Sequence, residues 1–104
     1  MNVKKYQKGW GILKMNKNTI IRSIEKNKII AIIRADNTEN ILKIAEALLE
    51  GGINIVEVSF NTPNALDCIE AISTEFRKEI IIGAGTVLDD NNAVNAINSG
   101  AQFI

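Results

Sequence analysis

A strand-helix unit repeats through most of this sequence, and the repeat limits the chain to a few architectures. With Ile32, Val56, Ile81 and Phe103 as strand centres, the intervals are 24, 25 and 22 residues, and each contains one helical pattern with short loops. Strands that alternate with helices form a parallel sheet with right-handed crossovers. The candidates are an eight-fold barrel or an open doubly wound sheet, and both bind ligands at the carboxyl ends of their strands.

Local patterns predict where the first elements begin and end. The run Lys28–Arg34 is continuously apolar between its two charged ends and too short for a helix, as expected for a strand buried on both faces. Asp36 or Thr38 is placed to cap the helix that follows. The pair Gly51-Gly52 is expected to end that helix.

Three further boundaries are predicted in the same way. Thr62 and Pro63 are placed as the N-cap and first residue of the helix after the second strand. Asp89 or Asp90 begins the next helix, and Gly100 ends it. The remaining predicted segments are a short amphipathic helix from Met15, a third strand over residues 79–87 and the start of a fourth strand over residues 101–104.

A single carboxylate, Glu57, interrupts the second strand. At a period of two, Ile55, Glu57, Ser59 and Asn61 share one face, and the intervening apolar residues share the other. A carboxylate buried among Ile and Val without a partner is costly. Two interpretations are open: a structural Glu paired with Arg34 from the neighbouring strand, or a catalytic acid/base.

Two polar side chains near strand ends are candidate ligand contacts. Arg34 is placed either to bind a carboxylate through two hydrogen bonds or to neutralise Glu57. Asn61 lies four residues after Glu57, where its amide is placed to meet a substrate oxygen. Both positions fit the rule that parallel sheets bind ligands at their carboxyl ends.

The turn after the third strand is a candidate binding loop. Gly83 and Gly85 let backbone N–H groups and the Thr86 hydroxyl approach an anionic or carbonyl ligand closely, although a purely structural tight turn is an alternative. The segment also resembles the start of a dinucleotide fingerprint, but Leu88 stands where the third glycine belongs. A small doubly wound nucleotide-binding domain is therefore a weaker alternative.

Composition disfavours several classes of partner. The basic residues cluster in residues 1–28, with few aromatic residues among them, so nucleic-acid binding is disfavoured. No run approaches the roughly 20 apolar residues of a membrane span, and residues 1–14 lack the apolar core of a secretory signal, which predicts a cytoplasmic protein without membrane contact. Residues 1–14 show no periodicity and are expected to be a disordered or mis-annotated leader, with translation starting at Met15 in the second case.

The sequence contains no histidine and one cysteine. The commonest metal ligand and general base is thus absent, and chemistry within these 104 residues must use carboxylates, amines or hydroxyls. Cys68 cannot form an internal disulfide and fits a helical pattern as a small core residue.

Five motifs in order resemble the 2-keto-3-deoxy-6-phosphogluconate (KDPG) / 4-hydroxy-2-oxoglutarate (KHG) aldolase family. Together they span essentially the whole chain after residue 28, and their combination is far more specific than any one of them. The motifs are Ile29–Arg34, Ala47–Ile53, Val56–Pro63, Ile82–Leu88 and Ser99–Ile104.

The resemblance implies a fold and a chemistry. The family forms trimers of (β/α)₈ TIM barrels, so residues 15–104 would be the N-terminal half of an α/β barrel, with a leading helix and about three and a half βα units. The family is class I: a lysine forms a Schiff base with the keto carbon of the substrate, and no metal or other cofactor is needed. The implied reaction is retro-aldol cleavage of a small 2-keto acid to pyruvate and an aldehyde.

The resemblance also implies residue roles. Glu57 would be the general acid/base, Thr86 with the turn at Gly83 to Gly85 would hold the pyruvate carboxylate, and Arg34 would contact substrate. Asn61 stands where many members have a substrate-contacting Arg, while relatives acting on the 6-phosphogalactonate isomer have a similar Asn-Ser-Pro. KDPG, its 6-phosphogalactonate isomer and KHG are therefore all candidate substrates.

The Schiff-base lysine of the family belongs to a strand in the second half of the barrel. Lys28 and Lys78 precede strands at the opposite end from the site, Lys43 lies in a helical pattern, and the other lysines lie in the leader or first helix. The 104-residue chain alone is therefore predicted to be inactive. The alternative is a non-catalytic half barrel that pairs with itself or with a separate second half.

Overall fold

A computed structural model describes residues 16–104, so the predicted leader and the alternative start at Met15 lie outside the described residues. Within residues 16–104, none of the helices is long and apolar enough to cross a membrane. The elements in this range are α1 (Lys17–Asn27), β1 (Ala31–Ile33), α2 (Thr38–Glu50), β2 (Ile55–Ser59), α3 (Ala65–Glu75), β3 (Ile81–Gly85) and α4 (Asp90–Ser99).

The three strands form one parallel sheet in the order β1-β2-β3, which confirms the predicted α/β class with a parallel sheet. After α4, Phe103 forms a parallel bridge to Gly83, so the chain returns to the free side of β3. The strands therefore follow one another in space as they do in sequence. A doubly wound sheet reverses its strand order at a switch point, and no reversal occurs among these elements.

The two faces of the sheet are covered differently. One face packs against α2, α3 and α4, and its inward residues, including Val56, Val58, Ile82 and Ala84, are almost completely buried. The other face meets α1 near the amino ends of the strands, where Ile20 packs on Ile55 and Ile81. Glu57 follows Ile55 on this second face, beyond that contact.

The first strand is shorter than predicted. Lys28, expected to begin it, instead ends α1, because it adopts a left-handed conformation (φ 65°) and its N–H donates to the carbonyl of Ile24 at 2.8 Å. The expectation of burial on both faces is also wrong, since Ile32 is 56% exposed. It lies on the same face as Glu57, which α1 covers only at the amino end.

Two of the predicted helix starts are wrong by one or two residues. The N-cap of α2 is Asn37, whose Oδ1 accepts the Asn40 N–H at 2.8 Å, rather than Asp36 or Thr38. The N-cap of α3 is Asn64, in a left-handed conformation (φ 56°), rather than Thr62. Asn64 makes no side-chain capping hydrogen bond. Thr62, which was expected to cap the helix, lies in the turn that precedes it.

The turn after β2 explains why Thr62 does not cap the helix. Its backbone N–H donates to the Ser59 carbonyl at 2.8 Å, and its side chain is buried. The boundaries of α4 agree with the sequence: Asp89 accepts the Asn92 N–H at 2.8 Å, and Gly100 ends the helix with φ 117°. Cys68 is buried as expected, and burial, with the nearby Asp67 charge as a second cause, raises the pKa of its thiol.

Candidate active site

Glu57 lies at the centre of β2, between Ile32 of β1 and Gly83 of β3 in the strand register. Its side chain is half-buried and lines a cavity of about 750 Å³. The remaining lining is mostly apolar, with polar groups at the amino end of α1. It consists of Asn16, Lys17, Ile20, Ile21, Ile24, Ile30, Gln102, Phe103 and Ile104.

The carboxylate of Glu57 lies over Gly85, two positions further along β3 than its register partner. A Cβ built on Gly85 would overlap the carboxylate, with the Glu57 Cδ at 2.6 Å and Cγ at 3.1 Å. The backbone of Gly85 is not in the positive-φ region, so its conformation does not require glycine. Gly85 instead provides the space in which the carboxylate points toward the carboxyl end of the sheet.

If Glu57 had a purely structural role, it was expected to form an ion pair with Arg34. Arg34 follows β1 directly and is exposed, and no ion pair joins it to Glu57. Among residues 16–104, the Glu57 carboxylate accepts no hydrogen bond from protein donors. Its negative charge is thus available to a ligand or to a proton, and the Glu57–Arg34 pair considered from sequence is not formed.

A pair of hydroxyl groups lies at the carboxyl ends of β2 and β3. Ser59 Oγ and Thr86 Oγ1 are 3.2 Å apart. Thr86 has φ 56°, a left-handed conformation that β-branched residues rarely adopt. Strained residues of this kind cluster at functional sites, where surrounding contacts hold them in place.

Ser59 is not among the site residues predicted from the sequence. It is almost fully buried and pairs with Gly85 in the strand register, so it belongs to the same constellation as Glu57 and Thr86. The feature of the sequence that could have identified Ser59 is its place on the same strand face as Glu57, at a period of two. Asn61, predicted to share that strand face, lies instead in the turn after β2, exposed, with its N–H donating to Ser59 Oγ at 3.3 Å.

The lysines among residues 16–104 lie away from Glu57, Ser59 and Thr86, except that Lys17 lines the Glu57 cavity. Lys26 and Lys28 are exposed at the carboxyl end of α1, and Lys78 is exposed in the turn before β3. Lys43 forms an exposed ion pair with Glu39 at 3.2 Å. Lys17 lines the same cavity as Glu57, near its α1 end, but forms no ion pair with that carboxylate.

Comparison with known proteins identifies close relatives of this fold. A family model described as KDPG and KHG aldolase matches residues 20–104. The 2-dehydro-3-deoxy-phosphogluconate aldolases of Treponema pallidum and Haemophilus influenzae are 37% and 35% identical to this chain over 86 and 85 residues. Those alignments cover 83% and 82% of this chain but 40% of each relative, so the chain spans about two fifths of their length.

Solved structures agree with the sequence matches. The KDPG aldolase of Legionella pneumophila, with pyruvate captured at low pH as a covalent carbinolamine intermediate, superposes with a TM-score of 0.65 at 38% identity and covers 69% of this chain and 34% of its own. The 2-keto-3-deoxy-6-phospho-gluconate aldolase of Zymomonas mobilis gives a TM-score of 0.65 at 32% identity, covering 71% and 35%.

Proposed function

We propose, because the chain belongs to the KDPG and KHG aldolase family, that it carries the acid/base and part of the substrate-binding surface of a class I aldolase. The reaction would cleave KDPG to pyruvate and glyceraldehyde 3-phosphate, or KHG to pyruvate and glyoxylate. The observation that carries the proposal is the Glu57 carboxylate, which lies over Gly85 without a protein partner in the described residues and faces a cavity.

The covalent part of the chemistry needs an amine. A carbinolamine, the species captured in the Legionella relative, forms when an amine adds to the keto carbon of pyruvate. In the cleavage direction the amine adds in the same way to the C2 keto carbon of KDPG or KHG. Loss of the resulting carbinolamine hydroxyl as water gives the Schiff base of the substrate, and that hydroxyl must first receive a proton. Glu57 is proposed to move this proton, because a carboxyl group within reach of the reacting atoms serves as acid or base according to its protonation state.

Carbon–carbon cleavage then requires a base. When the proton leaves the C4 hydroxyl, that oxygen forms the aldehyde carbonyl, and the C3–C4 electron pair moves into the Schiff base to give an enamine. An ionised Glu57 is proposed to accept this proton. A later proton transfer to C3 and hydrolysis of the Schiff base release pyruvate and restore the amine.

The neighbouring residues are proposed to hold the substrate. Thr86 and the backbone at Gly85 would bind the pyruvate carboxylate at the carboxyl ends of β2 and β3. Arg34 and Asn61, both exposed at strand ends, would contact the distal part of the substrate. The 6-phosphogalactonate isomer is a second candidate substrate because the exposed Asn61 amide allows a different contact from the Arg of many relatives.

The amine and the remainder of the barrel are proposed to lie outside the 104 residues. The strand order without reversal fits the first part of a (β/α)₈ barrel, and the exposed side chains of Ile32 and Ile104 would be covered by later βα units. A homotrimer in the cytoplasm is part of this proposal. The same exposed residues favour one rival, a non-catalytic half barrel that pairs with itself or with a separate second half.

A hybrid enzyme tests the proposal. Residues 16–104 of this chain would replace the matching amino-terminal part of the Haemophilus influenzae relative, and pyruvate release from KDPG and KHG would be followed with a coupled assay. We expect the hybrid enzyme to release pyruvate from at least one of them and the 104-residue chain alone to release none. A hybrid that folds, by circular dichroism and thermal unfolding, but is inactive on both would favour the non-catalytic rival.

A further inference from the structure

Ser59 joins the two loops that carry candidate substrate contacts. It is the last residue of β2 and is 1% exposed. Its Oγ lies 3.2 Å from Thr86 Oγ1 in the loop after β3 and accepts the Asn61 N–H at 3.3 Å in the loop after β2. A buried hydroxyl with partners on both loops fixes their relative positions.

The hydrogen bonds that Ser59 is able to make bear on which of the two hydroxyl groups donates to the other. A hydroxyl has one proton to donate and two lone pairs, and the Asn61 N–H occupies one lone pair of Ser59. If Ser59 donates its proton to Thr86 Oγ1, the Thr86 proton is left for a ligand. A carboxylate can only accept, so it favours this arrangement, in which each donor polarises the next.

We infer that Ser59 is a positioning residue that orients the Thr86 hydroxyl as a donor to the carboxylate of the 2-oxo acid. The inference rests on the proposed function, which places that carboxylate at Thr86. Because Thr86 is held at φ 56°, a conformation that threonine rarely adopts, loss of the Ser59 hydroxyl removes a contact that holds the strained residue. Ser59 itself does not touch the substrate.

Kinetics of the hybrid enzyme test this role. Ser59→Ala is expected to raise KM for the 2-oxo acid about tenfold with a smaller change in kcat, because a lost positioning contact weakens binding. Ser59→Thr keeps the hydroxyl and is expected to restore KM. Ser73→Ala is the matched control, since Ser73 is also buried but its Oγ has no hydrogen-bond partner among the described residues.

An unchanged KM in Ser59→Ala, or an equal rise in Ser73→Ala, would overturn the inference. If the Ala variant does not fold, Ser59→Cys, which keeps the volume with a weak donor, is expected to show the same rise. A second readout needs no activity. In the 104-residue chain, the NMR coupling that reports the Thr86 φ is expected to change in Ser59→Ala but not in Ser59→Thr, and an unchanged coupling would overturn the inference even if the hybrid enzyme is inactive.

Discussion

Glu57→Gln in the hybrid enzyme is expected to lower kcat for pyruvate release by about 10²- to 10⁴-fold, the range that a positioned general acid or base contributes. The amide has nearly the same shape as the carboxyl group, but it neither takes up nor releases a proton at neutral pH. Since the Glu57 carboxylate makes no hydrogen bond within residues 16–104, its replacement removes no hydrogen bond there. Thermal unfolding is therefore expected to change little.

Glu70→Gln is the matched control, because Glu70 is an exposed residue of α3 and lines no part of the cavity. Both variants lose one negative charge, so an effect of net charge would appear in both. A Glu57→Gln hybrid with the kcat of the Glu70→Gln control would remove Glu57 from the catalytic role.

Gly85→Ala is expected to lower kcat about 100-fold while leaving the fold intact. The new methyl group would occupy the place of the Glu57 carboxylate, which is the mobile end of a flexible side chain and is free to move aside. A displacement of about 1 Å at a reacting group is sufficient for a loss of that size. The measurements are kcat of the hybrid enzyme and its thermal unfolding temperature.

Gly51→Ala is the control for Gly85→Ala. Gly51 has φ −80°, and the nearest atoms to an added Cβ are carbonyl oxygens at 3.5 Å, an ordinary contact. Activity is expected to be unchanged there, with stability equal or slightly higher because the unfolded chain loses freedom. If Gly85→Ala retained full activity, the position of the carboxylate over Gly85 would have no catalytic importance.

The order of the elements could be predicted because its signals are local. Apolar runs, helical stripes and glycines identified every strand and helix of residues 16–104. The predicted start of α2 was wrong because several residues compete for one role. Asp36, Asn37 and Thr38 are all able to cap α2, and the path of the chain after β1 decides between them.

Burial of Ile32 could not be predicted from the sequence of its strand alone. Whether a strand face is covered depends on which distant element packs there, and α1 reaches only the amino end of this face. The same limit applies to the site. Period-two alternation placed Glu57 and Ser59 on one face, but the contact between Glu57 and Gly85 depends on strand register and on the direction in which a long side chain leans.

Locating the lysine that forms the Schiff base tests most directly the claim that Glu57 acts with a nucleophile from outside the described residues. The hybrid enzyme would be incubated with pyruvate and borohydride, and the reduced adduct located by peptide mass spectrometry. We expect an adduct on a lysine in the part supplied by the Haemophilus influenzae relative, with Lys17 unmodified and Lys17→Arg without effect on labelling. An adduct on Lys17, the described lysine that lines the Glu57 cavity, would contradict a nucleophile outside these residues.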